Sequence, residues 1–340
     1  MIMIYRLLIL IFIITIQSGC LFSNIIIQTL SLQEDTIPTR LAYDGQYYYR
    51  SLPVRTTTGQ TNRIERVDKT TGVASIVLGS GSFSQVDGIG TAATFSKIRA
   101  LVAVSGTTYN KLFVGDSCKI REVNLTSLQV TTVAGSGMCA DTDGIGTAAE
   151  FEEVLALTAD DSYIYIGTTG KIRKMNLTTY EVTTLAGSAS GDVDGIGSSA
   201  QISPMSGLTK IGQNLYFLDT YIKIKKLSLN DNTVTTIAGQ NGPTYSDSVD
   251  GPVSTATFQF DIVNDMTSDG VNFLFFTEYY KIRKMNLTTL EVTTVLNSSN
   301  RYEDVDSNDI SNAKAFAPSG ILFNEHGLFF SNIYGIRVLQ

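Results

Sequence analysis

The segment KIRKMNLTT at residues 171–179 is the strongest indication of the fold, because it recurs unchanged at residues 281–289 and, as KIREVNLT, at residues 119–126. A fixed period of about 50 residues is typical of repeat architectures, in which one unit cannot bury its own apolar face and packs against its neighbours. The repeat predicts a fold much more sharply than it predicts a function. Its isoleucine recurs six times, at intervals of 56, 52, 52, 58 and 54 residues: Ile64, Ile120, Ile172, Ile224, Ile282 and Ile336.

Each repeat contains four short apolar runs. In the fourth copy they are residues 207–211, 214–218, 223–229 and 233–239, which are rich in β-branched or aromatic side chains and bounded by Gly, Asn or Asp. Such runs predict strands separated by turns, and no window has the apolar period of a helix. Four-stranded units repeated around a channel make a β-propeller. We therefore predict an all-β protein, a six-bladed β-propeller of four-stranded blades.

The two ends of the chain complement each other. The last repeat supplies three strand-like runs, whereas residues 24–30 form one strand-like run ahead of the first repeat. An unpaired edge strand exposes backbone hydrogen-bonding groups, so the missing strand needs a source. We predict that residues 25–30 complete the last blade, so that residues 25–340 form a single domain. An open solenoid with two unpaired edges is the alternative.

A second motif links one repeat to the next. It reads DGIGTAATF at residues 87–95, DGIGTAAEF at 143–151 and DGIGSSA at 194–200, with a fainter copy, DGPVSTATF, at 250–258. Asp-Gly favours a turn, since glycine adopts positive φ without strain. The remainder of the motif predicts one helical turn that places a phenylalanine in the core between blades.

Together the Val-Thr-Thr-x-Ala-Gly run, the Asp-Gly-x-Gly-Thr-Ala-Ala-x-Phe linker and Lys-Ile-Arg-Lys resemble the NHL-repeat family of six-bladed propellers, over residues 41–340. Bacterial members of that family are often secreted or lipid-anchored. The chain departs from the naming Asn-His-Leu signature, and has Thr169-Gly170, Tyr221-Ile222 and Tyr279-Tyr280 ahead of the basic motif. Because the activities of the family are diverse, the resemblance implies an architecture and little chemistry.

The N-terminus has the pattern of an export signal. Arg6 precedes an apolar run over residues 7–16, which is too short to span a bilayer, and residues 17–20 read QSGC. Ser-Gly-Cys at this place resembles the lipobox of bacterial lipoproteins, in which the cysteine is acylated. We predict a signal peptide at residues 1–19, lipidation of Cys20 and a short tether over residues 20–24. Ordinary secretory cleavage, with Cys20 incidental, is the alternative.

The net charge indicates which kinds of partner fit the chain, and the cysteines bear on a disulfide outside the cytosol. The net charge of −7 argues against nucleic acid or an anionic lipid surface as the main partner. Outside the cytosol, Cys118 and Cys139 are an even pair that a disulfide can join. Both lie on one face of the predicted propeller, so the topology permits this bond without requiring it.

Two sets of loops emerge on that same face, those between the second and third strands and those between blades. Rigid aromatic side chains among polar groups favour an interaction surface for protein or glycan. Alternatively, the tyrosines cap blade edges and the aspartates organise turns. The first loop set supplies Tyr221, Tyr279, Tyr280 and Tyr334, and the second supplies Asp141, Asp143, Asp192, Asp194, Asp247 and Asp250.

Asp-x-Asp-Gly at residues 141–144 and 192–195 invites comparison with a calcium loop. A calcium-binding loop of the EF-hand type needs a further oxygen ligand upstream and a glutamate at its twelfth position. Glu150 fits the last position in one copy, but Cys139 occupies the first, so a structural turn is favoured. We also interpret the Asn-x-Thr/Ser sites as turn residues rather than glycan acceptors: Asn124, Asn176, Asn286 and Asn297.

Catalytic patterns are weak. His326 is the only histidine, and no Ser/His/Asp set, phosphate loop or metal-spaced cluster is present, so we expect no cofactor. The sequence favours a monomeric, membrane-anchored propeller that binds or scaffolds a protein or glycan at the periplasmic or outer surface of a bacterial envelope. A purely structural envelope protein is a further possibility. The enzyme alternative is a metal-dependent hydrolase or lyase at the channel mouth, with candidates Asp261, Asn264, Asp265, Glu150 and Glu153.

Overall fold

Six small antiparallel sheets form a ring in a computed structural model of the chain. The structure describes residues 27–29, 40–56, 59–105, 110–220, 222–239, 248–260, 264–278, 280–297, 318–332 and 335–339. The predicted signal peptide, Cys20 and the tether lie outside these residues. Among the described residues, no helix has the length and apolarity that crossing a bilayer requires.

The strands follow one another blade by blade. Strand β1 is Ile27–Thr29, and blade one comprises β2 (Leu41–Tyr43), β3 (Tyr47–Thr56), β4 (Gly59–Asp68) and β5 (Ala74–Leu78). Blade two comprises β6 (Gly88–Ile89), β7 (Ile98–Ser105), β8 (Asn110–Asp116), β9 (Lys119–Asn124) and β10 (Gln129–Ala134). Blade three comprises β11 (Gly144–Ile145), β12 (Ala156–Ala159), β13 (Tyr163–Gly167), β14 (Ile172–Asn176) and β15 (Glu181–Ala186).

Blades four to six repeat this order. Blade four comprises β16 (Gly195–Ile196), β17 (Met205–Ile211), β18 (Asn214–Asp219), β19 (Lys223–Ser228) and β20 (Thr233–Ala238). Blade five comprises β21 (Gly251–Pro252), β22 (Met266–Ser268), β23 (Phe273–Glu278), β24 (Lys281–Asn286) and β25 (Glu291–Asn297). Blade six comprises β26 (Ile321–Asn324), β27 (Gly327–Asn332) and β28 (Gly335–Leu339).

Blades two to five contain a short fifth strand in addition to the four predicted strands. In each of them the two residues after the linker aspartate form a short additional strand on the outer edge, as Gly88 does opposite Val130. The short strand takes up hydrogen-bonding groups at the end of the outer strand that would otherwise be an exposed edge. The linker therefore belongs to the blade that follows it.

The core lies between blades rather than within them. Each of the six clusters of buried apolar side chains draws on two neighbouring blades. The cluster between blades six and one includes Leu41, Tyr48, Phe329 and Ile336, and the rings of Tyr48 and Phe329 lie 4.5 Å apart. The inner strand of blade six contacts the inner strand of blade one, so the ring returns to its start.

The linker also contributes the predicted helical turn. Residues 90–92, 146–148 and 197–199 each form one turn of 3-10 helix, and Phe95 and Phe151 are fully buried behind the first two. Each phenylalanine ring meets a buried guanidinium, at 5.3 Å for Arg121 and 4.9 Å for Arg173. The linker thus fills the gap between two blades.

Three repeated motifs contact one another in the folded blade: Lys-Ile-Arg-Lys, the Asp-Gly of the linker and Val-Thr-Thr. Arg173 of Lys-Ile-Arg-Lys donates to the linker carboxylate of Asp143 at 2.7 Å, and Asp143 accepts the backbone N–H of Thr184 at 2.8 Å. Burial acts to raise the pKa of Asp143, but the Thr184 N–H and the Arg173 guanidinium outweigh it and hold the pKa below its usual range. The same arrangement recurs in three other blades: Arg121, Asp87 and Thr132; Lys225, Asp194 and Thr236; Arg283, Asp250 and Thr294.

Blade one has an acidic side chain at the position of the buried cation. Its third strand has Glu65 where the other blades have a buried cation, and Arg50 on the neighbouring strand pairs with it. Both side chains are almost completely buried. Arg50 and Glu65 thus neutralise each other in blade one. An unpaired buried charge at this position would be costly.

The N-terminal strand pairs with blade six. Ile27, Gln28 and Thr29 lie antiparallel to Leu339, Val338 and Arg337, on the outer edge of β28. Residues 25, 26 and 30 of the predicted segment lie outside the described part of the chain. This pairing has a direct test.

We predict that Gln28→Cys combined with Val338→Cys forms a disulfide on oxidation, in a chain in which Cys20 is serine. Directly opposed residues of an antiparallel pair have Cα atoms about 4.5–5.5 Å apart, within the range that a disulfide spans. The matched control is Thr29→Cys with Val338→Cys, two positions that are not directly opposed in this register. Equal cross-linking of the two pairs on a non-reducing gel would contradict this register.

Candidate functional site

The propeller has two faces. Counting the four long strands of each blade from the channel outward, we call one the loop face, formed by the turns between second and third strands (described residues 117–118, 168–171, 220, 222 and 280) and the linkers between blades (residues 79–87, 135–143, 187–194 and 248–250). The opposite one is the hairpin face, formed by the turns between first and second strands and between third and fourth strands. The predicted tyrosines, aspartates and cysteines belong to the loop face.

The predicted tyrosine surface is only partly described. Tyr280 lies half-buried at the turn ahead of β24. Tyr221, Tyr279 and Tyr334 lie outside the described residues. Their contribution to a binding surface therefore stays a prediction.

The loop-face cysteines are brought together. Cys118, in a turn between second and third strands, and Cys139, in the following linker, are joined by a disulfide with their Cα atoms 5.3 Å apart. Cys139 is exposed, whereas Cys118 is buried. The bond attaches the linker that carries Asp141 and Asp143 to the turn that contains Cys118. These two carboxylates pair with Arg173, and we call this set of ion pairs the Arg173 clamp.

The linker aspartates turn inward. Asp141 pairs with Lys171 at 2.9 Å and with Arg173 at 3.0 Å, and Asp192 pairs with Lys225 at 2.7 Å. These carboxylates are neutralised by protein cations, which favours the structural-turn interpretation over a calcium loop. Glu150 accepts hydrogen bonds from the hydroxyls of Ser136 and Thr142. Asp247 lies outside the described residues.

The Asn-Leu-Thr segments also act as turns. The side-chain oxygen of Asn176 accepts the backbone N–H groups of Thr178 and Thr179 at 2.8 and 3.0 Å. Asn124 and Asn286 do the same in blades two and five. Such Asx turns explain the recurrence of the motif between third and fourth strands.

Sequence reasoning missed the apolar side chains that the linkers expose. Val193 and Val249 each directly precede an aspartate that pairs with a buried cation, Asp194 with Lys225 and Asp250 with Arg283. Neighbouring residues of an extended segment point in opposite directions, so the side chain before each aspartate points away from that cation. The exposed linker residues, with their exposed fractions, are Phe83 (61%), Val86 (54%), Met138 (69%), Val193 (47%) and Val249 (54%).

The central channel is crossed by one arginine. Arg40 precedes the inner strand of blade one, and its guanidinium donates to the backbone oxygen of Ser206 in blade four at 2.9 Å. Blades one and four are opposite each other in a ring of six, so this buried side chain spans the channel. The equivalent residues in blades two, three and six are small: Ala100, Ala156 and Gly320. Aligning the repeats would have singled out Arg40.

Asp265 occupies the equivalent position in blade five. Its carboxylate accepts the N–H groups of Met266 at 2.9 Å and Ile321 at 3.4 Å. Burial raises the pKa of Asp265 to about 6, although the charge of Arg40 and these two hydrogen bonds act against the shift. The channel thus holds the guanidinium of Arg40 from blade one and the carboxyl group of Asp265 from blade five.

The described candidates for a hydrolase site are buried or already interact with other groups of the protein. Glu153 pairs with Lys97 at 2.6 Å and Arg99 at 3.4 Å, and Asn264 is buried. Asp261 lies outside the described residues. Within the part of the chain that the structure describes, no three His, Cys, Asp or Glu side chains are grouped as a metal ion would need.

The raised pKa of Asp265 predicts a pH-dependent stability. A carboxyl group that binds its proton more tightly in the folded state stabilises the fold at low pH, and this contribution is lost as the pH rises through the folded pKa. Relative to Asp265→Asn, the wild-type free energy of unfolding should fall by about 2 kcal/mol between pH 4 and pH 7. Urea denaturation of both proteins across this range measures it, and parallel pH profiles would contradict the assignment.

Comparison with solved structures supports the fold. Auxiliary nutrient binding proteins from Bacteroides thetaiotaomicron VPI-5482 and Bacteroides ovatus ATCC 8483 are similar, with TM-scores of 0.64 and 0.62 and 12% identity each. These matches cover 94% and 93% of this chain, and 77% and 76% of the other chains. A gluconolactonase from Xanthomonas campestris has a TM-score of 0.58 at 12% identity, covering 93% of this chain and 90% of that one.

At this identity the similarity establishes the fold alone. No family model and no curated protein matches the chain.

Proposed function

We propose that the chain is an exported binding module, anchored by a lipid on Cys20 to a bacterial envelope membrane, that binds a protein or glycan through its loop face. The proposal takes residues 1–19 as a signal peptide and residues 20–24 as the anchored tether. It is supported by the lipobox-like residues 17–20 and by the resemblance of the repeats to NHL propellers. Similarity in fold to two nutrient binding proteins agrees with a binding role.

The exposed apolar side chains of the linkers carry the proposal. Phe83 and Met138 belong to consecutive linkers and expose 61% and 69% of their surfaces on the loop face. Exposed aromatic side chains and methionine are enriched where proteins meet their partners. Arg40 spans the channel between blades one and four, and the proposal places recognition on the surface of the ring.

The test compares loop-face variants with a matched variant of the hairpin face. Ligands captured from envelope extracts or a glycan array by the wild-type protein are titrated against Phe83→Ser with Met138→Ser, and against Val271→Ser, which is 78% exposed on the hairpin face. Loss of two apolar anchors should weaken binding on the order of tenfold or more. Equal weakening by Val271→Ser, or unchanged binding by the loop-face pair, would count against the proposal.

The enzyme alternative has its own discriminating result. A metal-dependent hydrolase would retain about one tightly held divalent ion per chain, and Asn264→Ala or Asp261→Ala would release it. Metal analysis of the purified protein measures this directly. A stoichiometric ion lost with either variant would replace the binding proposal by a catalytic one.

A further inference from the structure

The direction of β1 sets where the N-terminus leaves the ring. Ile27 lies opposite Leu339, and Leu339 lies opposite Leu328 beside the hairpin turn at residues 325–326. Thr29 lies opposite Arg337, two residues further into the blade. The chain therefore enters β1 at the hairpin face and runs toward the loop face.

The segment between Cys20 and Ile27 reaches the loop face only when it is almost fully extended. Seven residue steps separate the two residues, a span of about 25 Å at most. A return along the outside of blade six to the loop face would use about 20 Å of that span, the length of a six-residue strand, and leave about 5 Å. A lipid on Cys20 therefore reaches a membrane most directly on the hairpin side.

The turns of the hairpin face carry more carboxylates than cations, although Lys69 lies beside Gly45 and Lys210 pairs with Asp160. These turns are capped by carboxylates that accept backbone N–H groups: Asp44, Asp68, Asp160, Asp231 and Asp269. Backbone N–H groups of Thr71 and Thr70 lower the pKa of Asp68. Hydrogen bonds from the backbone to Asp269 outweigh burial and also lower the pKa of that group. A face with these charges is repelled by anionic lipid and does not adhere to it.

We propose that the anchored propeller stands on its hairpin face, held near the membrane by the tether without adsorbing to it, and presents the loop face away from that membrane. This inference rests on the proposed lipid anchor at Cys20. It defines the partner of the loop face as a soluble or opposing macromolecule in the aqueous space, since the linker residues Phe83 and Met138 point away from the lipid of the anchoring membrane. The kind of partner therefore follows from the polarity of one strand.

The test attaches the chain to vesicles through Cys20 and measures its direction. A chain that begins at Cys20, with Cys118 and Cys139 left in their disulfide, is coupled to maleimide-bearing lipid in vesicles of neutral and anionic phospholipid. A donor dye is placed through an azide-bearing amino acid at Asp161 on the hairpin face of blade three, or at Ser190 on the loop face in the linker that follows this blade. Both positions are exposed.

Energy transfer to acceptor lipids should be about twofold more efficient from position 161, because the length of a strand separates the two dyes along the ring axis. Equal or reversed efficiencies would overturn the orientation. Without coupling, the protein should not bind the anionic vesicles, and binding would contradict the stand-off.

Failure of the anchor itself is distinguishable. Mass spectrometry of Cys20 in the cell-derived protein reports whether it is acylated. An unmodified Cys20 would remove the proposed anchor, whereas the vesicle measurement would still report the direction in which the tether leaves the ring. Dyes that report the predicted order together with an acylated Cys20 would support both.

Discussion

Arg173→Ala is expected to lower the free energy of unfolding by at least about 3 kcal/mol, the lower end of the usual cost of breaking a buried ion pair from one side, since Asp143 is 46% exposed. Arg173 is completely buried and donates to Asp141, Asp143 and the backbone oxygens of Thr142 and Glu150. Its removal leaves Asp143 without this cation, Asp141 with Lys171 alone, and two carbonyl oxygens without this donor. Chemical denaturation of the wild-type and variant proteins measures the loss.

Lys174→Ala is the matched control. Lys174 is the next residue of the same strand, but it lies on the other side of the sheet, half-buried over the ring of Tyr163. Its loss should cost less than about 1 kcal/mol. Arg173→Lys should keep most of the stability, since blade four has Lys225 in the equivalent position. Equal losses for Arg173→Ala and Lys174→Ala would show that the clamp does not hold the blade.

Removal of the disulfide should have the second-largest effect. Cys118→Ser with Cys139→Ser is expected to cost about 3 kcal/mol, because the bond closes a loop of about 20 residues and restricts the unfolded chain. Blade two is expected to unfold first, since the bond fastens its turn to the linker behind it. Thermal unfolding with and without reductant measures the effect.

The reductant provides the control within the same experiment. Adding it should shift the wild-type protein to the stability of the double-serine variant and leave that variant unchanged. Free-thiol titration of the unfolded wild-type protein should find Cys118 and Cys139 protected before reduction. Two reactive thiols at these positions in the oxidised protein would contradict the bond.

The candidate surface was predictable only in part. Loop assignment placed Cys118 and Cys139 on one face, and the Asp-Gly motifs were assigned to the linkers. Which side chain of a linker meets solvent was not predictable, because it depends on a cation supplied by another strand. Asp143 pairs with Arg173, 30 residues further along the chain. A sequence motif does not reveal that pairing.

Arg40 shows the same limit at longer range. Its partner oxygen belongs to Ser206, 166 residues away on the opposite side of the ring. Only the diameter of the closed ring brings the two together. The raised pKa of Asp265 depends on the same closure, because burial at the channel is its main cause.

The repeat pattern is sufficient to predict the blade architecture: a unit of about 50 residues whose strands cannot bury their faces alone has to stack on copies of itself, and six copies give six blades. The pattern also predicts the position of the turns, since Asn and Asp side chains cap the backbone locally. The folded ring is needed to establish which linker residues face solvent, which groups enter the channel and from which face the N-terminus leaves. Those features depend on contacts between strands far apart in the chain, where geometry rather than local residue preference selects the partner.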